Sequence, residues 1–125
     1  MLNAFSVESM FEENTSMIKV YFDNIDTSTI DNFNSMFKNC VKLKCVNINS
    51  FDMSSATTIN YMFSNCFDLE LVDFSNWTCC GLVSCLDMFE NCISLKHIKM
   101  CKMNKFVNGY DWFVNNMKKV TIEGI

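Results

Sequence analysis

Eight cysteines and one histidine are the residues of this chain best suited to chemistry. Their spacing argues against most of it. No C-x-x-C pair occurs, so neither a zinc ribbon nor a thioredoxin-type motif is supported. Cys79-Cys80 with Cys85 gathers soft-metal donors, but at a spacing that specifies no geometry. His97 reaches Cys45 or Cys101 only if the fold stacks them, and no third group is placed to orient a nucleophile–base pair. The glycines, Gly81, Gly109 and Gly124, form no phosphate-cradling loop. The expectation is a protein without catalytic residues, metal or cofactor.

Three of the cysteines instead mark a repeat. Met36-Phe37-Lys38-Asn39-Cys40 recurs as Met62-Phe63-Ser64-Asn65-Cys66 and Met88-Phe89-Glu90-Asn91-Cys92, a period of 26 residues. One period earlier lie Met10-Phe11, with Asn14 in place of the cysteine. A fixed period of this length is the mark of a solenoid, in which each unit covers the open apolar side of the next. Cys40, Cys66 and Cys92 then read as buried, reduced thiols under a turn. Native labelling is expected to reach Cys101 or Cys79 first.

Within one unit, Leu43, Val46 and Ile48 follow the L-x-x-L-x-L strand pattern. Phe51 and Met53 turn the chain over the core. Ala56, Ile59, Met62 and Phe63 are spaced as one face of a short helix or 3₁₀ segment. The strand columns are Met17, Val20, Phe22; Leu43, Val46, Ile48; Leu69, Val72, Phe74; Leu95, Ile98, Met100; and a shortened Met117, Val120, Ile122. The helical columns are Ala4, Val7, Met10, Phe11 and their counterparts ending in Phe37, Phe63 and Phe89, with Ile25, Phe51, Trp77 and Met103 at the turn. The last connection departs from the period, since Phe113 follows Phe89 by 24 residues. The fold expected is α/β: a leucine-rich-repeat solenoid of about five 26-residue repeats, with a parallel β-sheet on one side and short helices on the other. Residues 1–125 form a single domain.

The string M-F-x-N-C-x-x-L-x-x-(V/I)-x-(I/F/M) runs through Met36–Ile48, Met62–Phe74 and Met88–Met100, with weaker copies at both ends. It resembles the BspA-like leucine-rich-repeat surface proteins, including the related repeats of mycoplasma lipoproteins. The resemblance implies a right-handed leucine-rich-repeat solenoid. It also implies a setting at the cell surface, where many members adhere to host or extracellular-matrix proteins.

Composition narrows the partners. The chain carries no arginine and a net charge of −4, which disfavours nucleic acid. No run of about 18 apolar residues predicts a membrane span. Met1 to Met10 show neither the basic segment nor the apolar run of a signal peptide. The setting expected is cytoplasmic if Met1 is the natural start, and cell surface or secreted if a leader was removed.

The residues between the core positions of each strand face outward. They form one column of Lys19, Cys45, Leu71, His97 and Lys119 and another of Tyr21, Asn47, Asp73, Lys99 and Thr121, followed by Asp23, Asn49, Ser75, Cys101 and Glu123. Varied side chains on a regular scaffold suit recognition. The binding residues expected are Tyr21, Cys45, Asn47, Leu71, Asp73, His97, Lys99 and Lys119. Residues 1–90 hold four lysines against twelve acids, and residues 91–125 hold six lysines against Asp111 and Glu123. The rod should therefore have an acidic end and a basic end, which suits steering of a charged partner or self-association. The reading is a non-enzymatic protein-binding module. Two versions stand beside it: a small intracellular inhibitor, such as a phage protein directed at a host defence enzyme, and an adhesin fragment.

Overall fold

A computed structural model describes residues 6–23, 25–78, 81–104, 106–112, 117 and 120–123. Ala4, Cys79, Cys80, Lys105, Phe113, Lys118 and Lys119 lie outside the described residues. Five three-residue strands, β1 (Lys19–Tyr21), β2 (Cys45–Asn47), β3 (Leu71–Asp73), β4 (His97–Lys99) and β5 (Thr121–Glu123), pair in parallel in sequence order. Their inward residues are Val20, Val46, Val72, Ile98 and Ile122, each β-branched and thus suited to a pleated, half-buried surface. A second ladder of single bridges joins Ser6, Asn32, Thr58, Ser84 and Asn108. The chain is a β-solenoid of about four turns whose rungs are the repeats.

The side expected to be helical is built from turns. Among the described residues only Tyr110–Trp112 have helical backbone. The reason lies in two left-handed residues per repeat: Ser35 and Asn39, Tyr61 and Asn65, Asp87 and Asn91, with φ between 49° and 63°. Such a residue every fourth position prevents an α-helix from propagating. It turns alternate N–H groups along the rod. Phe33, Ser35, Phe37 and Asn39 donate to the carbonyls of Thr58, Asn60, Met62 and Ser64 in the next coil, at 2.8–3.0 Å. Lys38 and Cys40 close local turns onto Ser35 and Phe37. Four of these six main-chain hydrogen bonds are therefore made between coils.

Between the sheet and the turn side the core is stacked column upon column. Phe11, Phe37, Phe63 and Phe89 form a ring stack with centroids 5.6, 5.3 and 5.4 Å apart. The spacing exceeds the roughly 4.8 Å between strands because the rings are offset. Cys40, Cys66 and Cys92 are buried, and their thiols donate to the carbonyls of Phe11, Phe37 and Phe63 in the preceding coil at 3.0–3.1 Å. Asn65 Nδ2 donates to Asn39 Oδ1 and Asn91 Nδ2 to Asn65 Oδ1, both at 2.8 Å, a side-chain ladder parallel to the thiols. The buried Trp77 indole donates to the Ile48 carbonyl at 2.7 Å, so its polar end is satisfied inside the stack.

The end coils differ from the expectation. Met10, placed in the core by its column, is 48 % exposed, whereas Met36, Met62 and Met88 are buried. An outer coil has a neighbour on one side only, so the same column position loses half its cover. Ile25 is exposed at the same end. At the other end the register shifts. Ile122 pairs with Ile98, not with Met100, so Thr121 continues the His97 column and Glu123 the Lys99 column. The last loop is two residues shorter than the others, and the strand keeps an isoleucine pointing inward by sliding two places. Gly109 (φ 92°) fits this shortened coil, since a Cβ there would sit 2.9 Å from the Cys85 carbonyl oxygen.

Candidate functional site

The outward sheet face assembles most of the residues expected on it. Its first column reads Lys19, Cys45, Leu71, His97 and Thr121, its second Tyr21, Asn47, Asp73, Lys99 and Glu123. Thr121 therefore holds the place assigned to Lys119, and Glu123 the place assigned to Thr121, because of the two-residue slide. Tyr21 is 64 % and Leu71 43 % exposed, although the residues beside them in the chain, Val20 and Val72, turn inward. Cys45, Asp73 and His97 are half-buried, while Asn47 and Lys99 are exposed.

Polar contacts hold this face in place. The main-chain N–H and hydroxyl of Ser75 donate to Asp73 Oδ1 at 3.0 and 2.8 Å. Burial works against ionisation of Asp73, but these bonds, with Lys99 and Asn49 nearby, outweigh it and hold the carboxyl below its usual range. His97 Nε2 lies 3.3 Å from Glu123 Oε1, yet no well-aligned hydrogen bond joins them. Lys96 Nζ and Glu70 Oε1, 3.2 Å apart, form an exposed pair on the adjoining column, worth little by itself.

Strands of three residues are about 10 Å long, and five of them span about 20 Å, so the sheet face measures on the order of 200 Å². A standard interface covers ~800 Å² per partner. Surface beyond the sheet must contribute. A shallow hollow of about 460 Å³ follows β2, lined in part by Asn49, Ser50, Asp52, Ser54 and Asn76. Hydrogen bonds from the hydroxyl and main chain of Ser54 keep the Asp52 carboxyl below its ordinary value, so the hollow is anionic. Sequence reasoning overlooked a second surface, where Phe67 and the 80 % exposed Ile93 occupy the position after the ladder cysteine in successive coils. The signal was in the repeat alignment itself: an apolar residue in a column outside the core.

The cysteines correct one expectation. Cys101, read as outward, is buried, and of the six described thiols only Cys45 is half-exposed. Asn49 and Ser75, which hold the same column position in earlier coils, are not buried, so the outward column is not kept after β4. None of the six is in a disulfide. Burial pushes the Cys85 thiol up to about 11 and the Cys92 thiol up to about 12, and raises Cys66 and Cys40 as well. Thiolate is the reactive species, so native labelling with a maleimide should modify Cys45 first among these six, with Cys40, Cys66 and Cys92 slow. Peptide mapping that found Cys66 labelled as fast as Cys45 would contradict the stacked thiol column. Among the described residues no group of three metal-ligating side chains is gathered, and no helix is long and apolar enough to cross a membrane.

Stacked columns, a parallel sheet and turns bonded from coil to coil define a β-solenoid repeat protein. The chain belongs to the family described as Mycoplasma protein of unknown function, DUF285, whose family model matches residues 5–122. No curated protein and no solved structure matches it.

Proposed function

We propose that this chain is a non-enzymatic protein-binding module acting through its outward sheet face, with the hollow after β2 extending that surface. The observation that carries this reading is the contrast between columns. The inward residues are apolar and repeat from coil to coil, whereas their outward neighbours change type at every coil and expose Tyr21 and Leu71 at the surface. Tyrosine is enriched among the residues that dominate interface energetics. The resemblance of the repeat string to BspA-like leucine-rich-repeat surface proteins favours a host or matrix protein as the target, in the manner of an adhesin. The intracellular-inhibitor version draws only on the acidic balance and small size.

Leu71→Glu places a charge at the middle of this face without touching the core. The immobilised chain should capture its partner from host lysate, and titration of the identified partner should show Leu71→Glu weakening affinity about 30-fold, the equivalent of a 2 kcal/mol hot spot. Val83→Glu, at an exposed position on the turn side, is the control and should bind normally. Circular dichroism should be unchanged for both. Normal binding by folded Leu71→Glu, with loss in Val83→Glu, would move the site to the turn side.

A further inference from the structure

We propose that Asn108-Gly109 is a site of spontaneous covalent modification. The asparagine side chain cyclises onto the main chain and reopens as isoaspartate or aspartate. The site lies on the bridge ladder, apart from the outward sheet face, so the proposal is independent of the binding reading.

Asn108 is the one asparagine of the chain followed by glycine. Cyclisation requires the next residue's main-chain nitrogen to reach the asparagine Cγ, and a side chain on that residue hinders the approach. Glycine has none. The fold itself demands glycine here, because Gly109 has φ 92° and a Cβ would sit 2.9 Å from the Cys85 carbonyl oxygen. Packing therefore keeps the susceptible dipeptide in place.

A break in a column leaves Asn108 free to react. In the two preceding coils the ladder residue is tied to an asparagine of the coil before it. Thr58 Oγ1 donates to Asn34 Oδ1 and Ser84 Oγ to Asn60 Oδ1, both at 2.6 Å. The next member of that asparagine column is Leu86, which offers no side-chain acceptor. Among the described residues the exposed Asn108 amide has no hydrogen-bond partner, and neither has the Gly109 N–H. Asn34 and Asn49, each followed by serine, are instead held by bonds to their amide oxygens.

In the reaction the Gly109 nitrogen loses its proton to solvent base and attacks Asn108 Cγ. A C–N bond forms, the bond from Cγ to the side-chain nitrogen breaks, and ammonia leaves. Water, the only other reactant, then opens the cyclic imide. Opening at the side-chain carbonyl gives aspartate. Opening at the main-chain carbonyl gives isoaspartate, whose main chain is one carbon longer. That carbon enters where the rung is tightly bonded. Asn108 N–H donates to the Val83 carbonyl at 2.9 Å, and the Asn108 carbonyl accepts the Cys85 N–H at 2.8 Å. The longer chain cannot keep both bonds with Gly109 pressed on Cys85, so the isoaspartate form releases this rung of the second ladder.

Incubation of the native chain at mildly alkaline pH, followed by peptide mapping with mass spectrometry, tests the proposal. The peptide containing Asn108 should gain one mass unit, with isoaspartate identified by fragmentation. The peptides of Asn34 and Asn49 should keep their mass. Leu86→Asn, at an exposed position, restores the missing acceptor and should slow conversion severalfold in the folded protein. In urea, where no column exists, Leu86→Asn and the parent should convert equally fast. Asn108→Asp adds the same charge without lengthening the chain, so it should melt above the isoaspartate fraction. An Asn108 that keeps its mass in the native chain overturns the proposal, whether or not it converts in urea. So does native conversion as fast at Asn34 or Asn49 as at Asn108. Conversion unchanged by folded Leu86→Asn would overturn the column break as its cause. An isoaspartate fraction that melts with Asn108→Asp would overturn release of the rung.

Discussion

Phe63→Ser is expected to lower the melting temperature by about 10–20 °C or to leave the protein insoluble. Phe63 is fully buried at the centre of the ring stack, between Phe37 and Phe89. Removing a buried phenylalanine costs about 3–5 kcal/mol through lost transfer free energy and the cavity left behind. The serine hydroxyl adds an unsatisfied polar group in a dry column. Against a typical total of about 5–15 kcal/mol, that loss removes much of the stability of a domain this size. The damage should spread, because Phe63 supports the coils on both sides and its carbonyl accepts the Cys92 thiol. Phe67→Ser, four residues away on the surface, is the matched control and should melt nearly as the parent does. A thermal melt unchanged by Phe63→Ser would mean that the columns are misaligned.

The second large effect is expected at Asn65, whose contribution is conformational as well as polar. Its φ of 61° lies in the left-handed region, and its amide connects Asn39 to Asn91. Asn65→Val forces a β-branched residue into that region, at about 1–3 kcal/mol of strain, and severs two hydrogen bonds of about 1 kcal/mol each. A total of about 3–5 kcal/mol is expected from urea unfolding. Asn65→Gly severs the same bonds but adopts the left-handed backbone without strain, so it should lose 1–2 kcal/mol less. Equal losses for the two variants would show that the backbone conformation contributes nothing and the amide ladder everything.

The candidate site divides along similar lines. Tyr21, Cys45, Asn47, Leu71, Asp73, His97 and Lys99 share a face as alternation within a strand requires, since residues flanking an inward valine or isoleucine must point outward. That rule needs only the position of the apolar residue. It gave the wrong member at the last strand, because Val120 and Ile122 both offer an apolar residue at strand spacing. Pairing with β4 selects Ile122 and places Thr121 and Glu123 beside His97 and Lys99. The burial of Cys101 was equally invisible, since Asn49 and Ser75 hold the same column position without being buried.

Alone, the sequence determined the period, the stacked columns and the identity of the core. A solenoid requires a residue of similar size and polarity at the same place in every turn, so packing is written into the chain as repetition. Met36, Met62 and Met88, or Cys40, Cys66 and Cys92, could be read as buried for that reason. The tertiary structure alone decided that the turn side is not helical. Apolar residues at spacings of three, three and one satisfy a helix face and a left-handed double turn equally well. The choice between them rests on where the backbone N–H groups find acceptors. Here the acceptors are carbonyls in the next coil, a full repeat away, as with Phe37 N–H donating to Met62 and Phe63 N–H to Met88 at 2.9 Å. No local pattern of side chains encodes a partner at that distance; stacking supplies it.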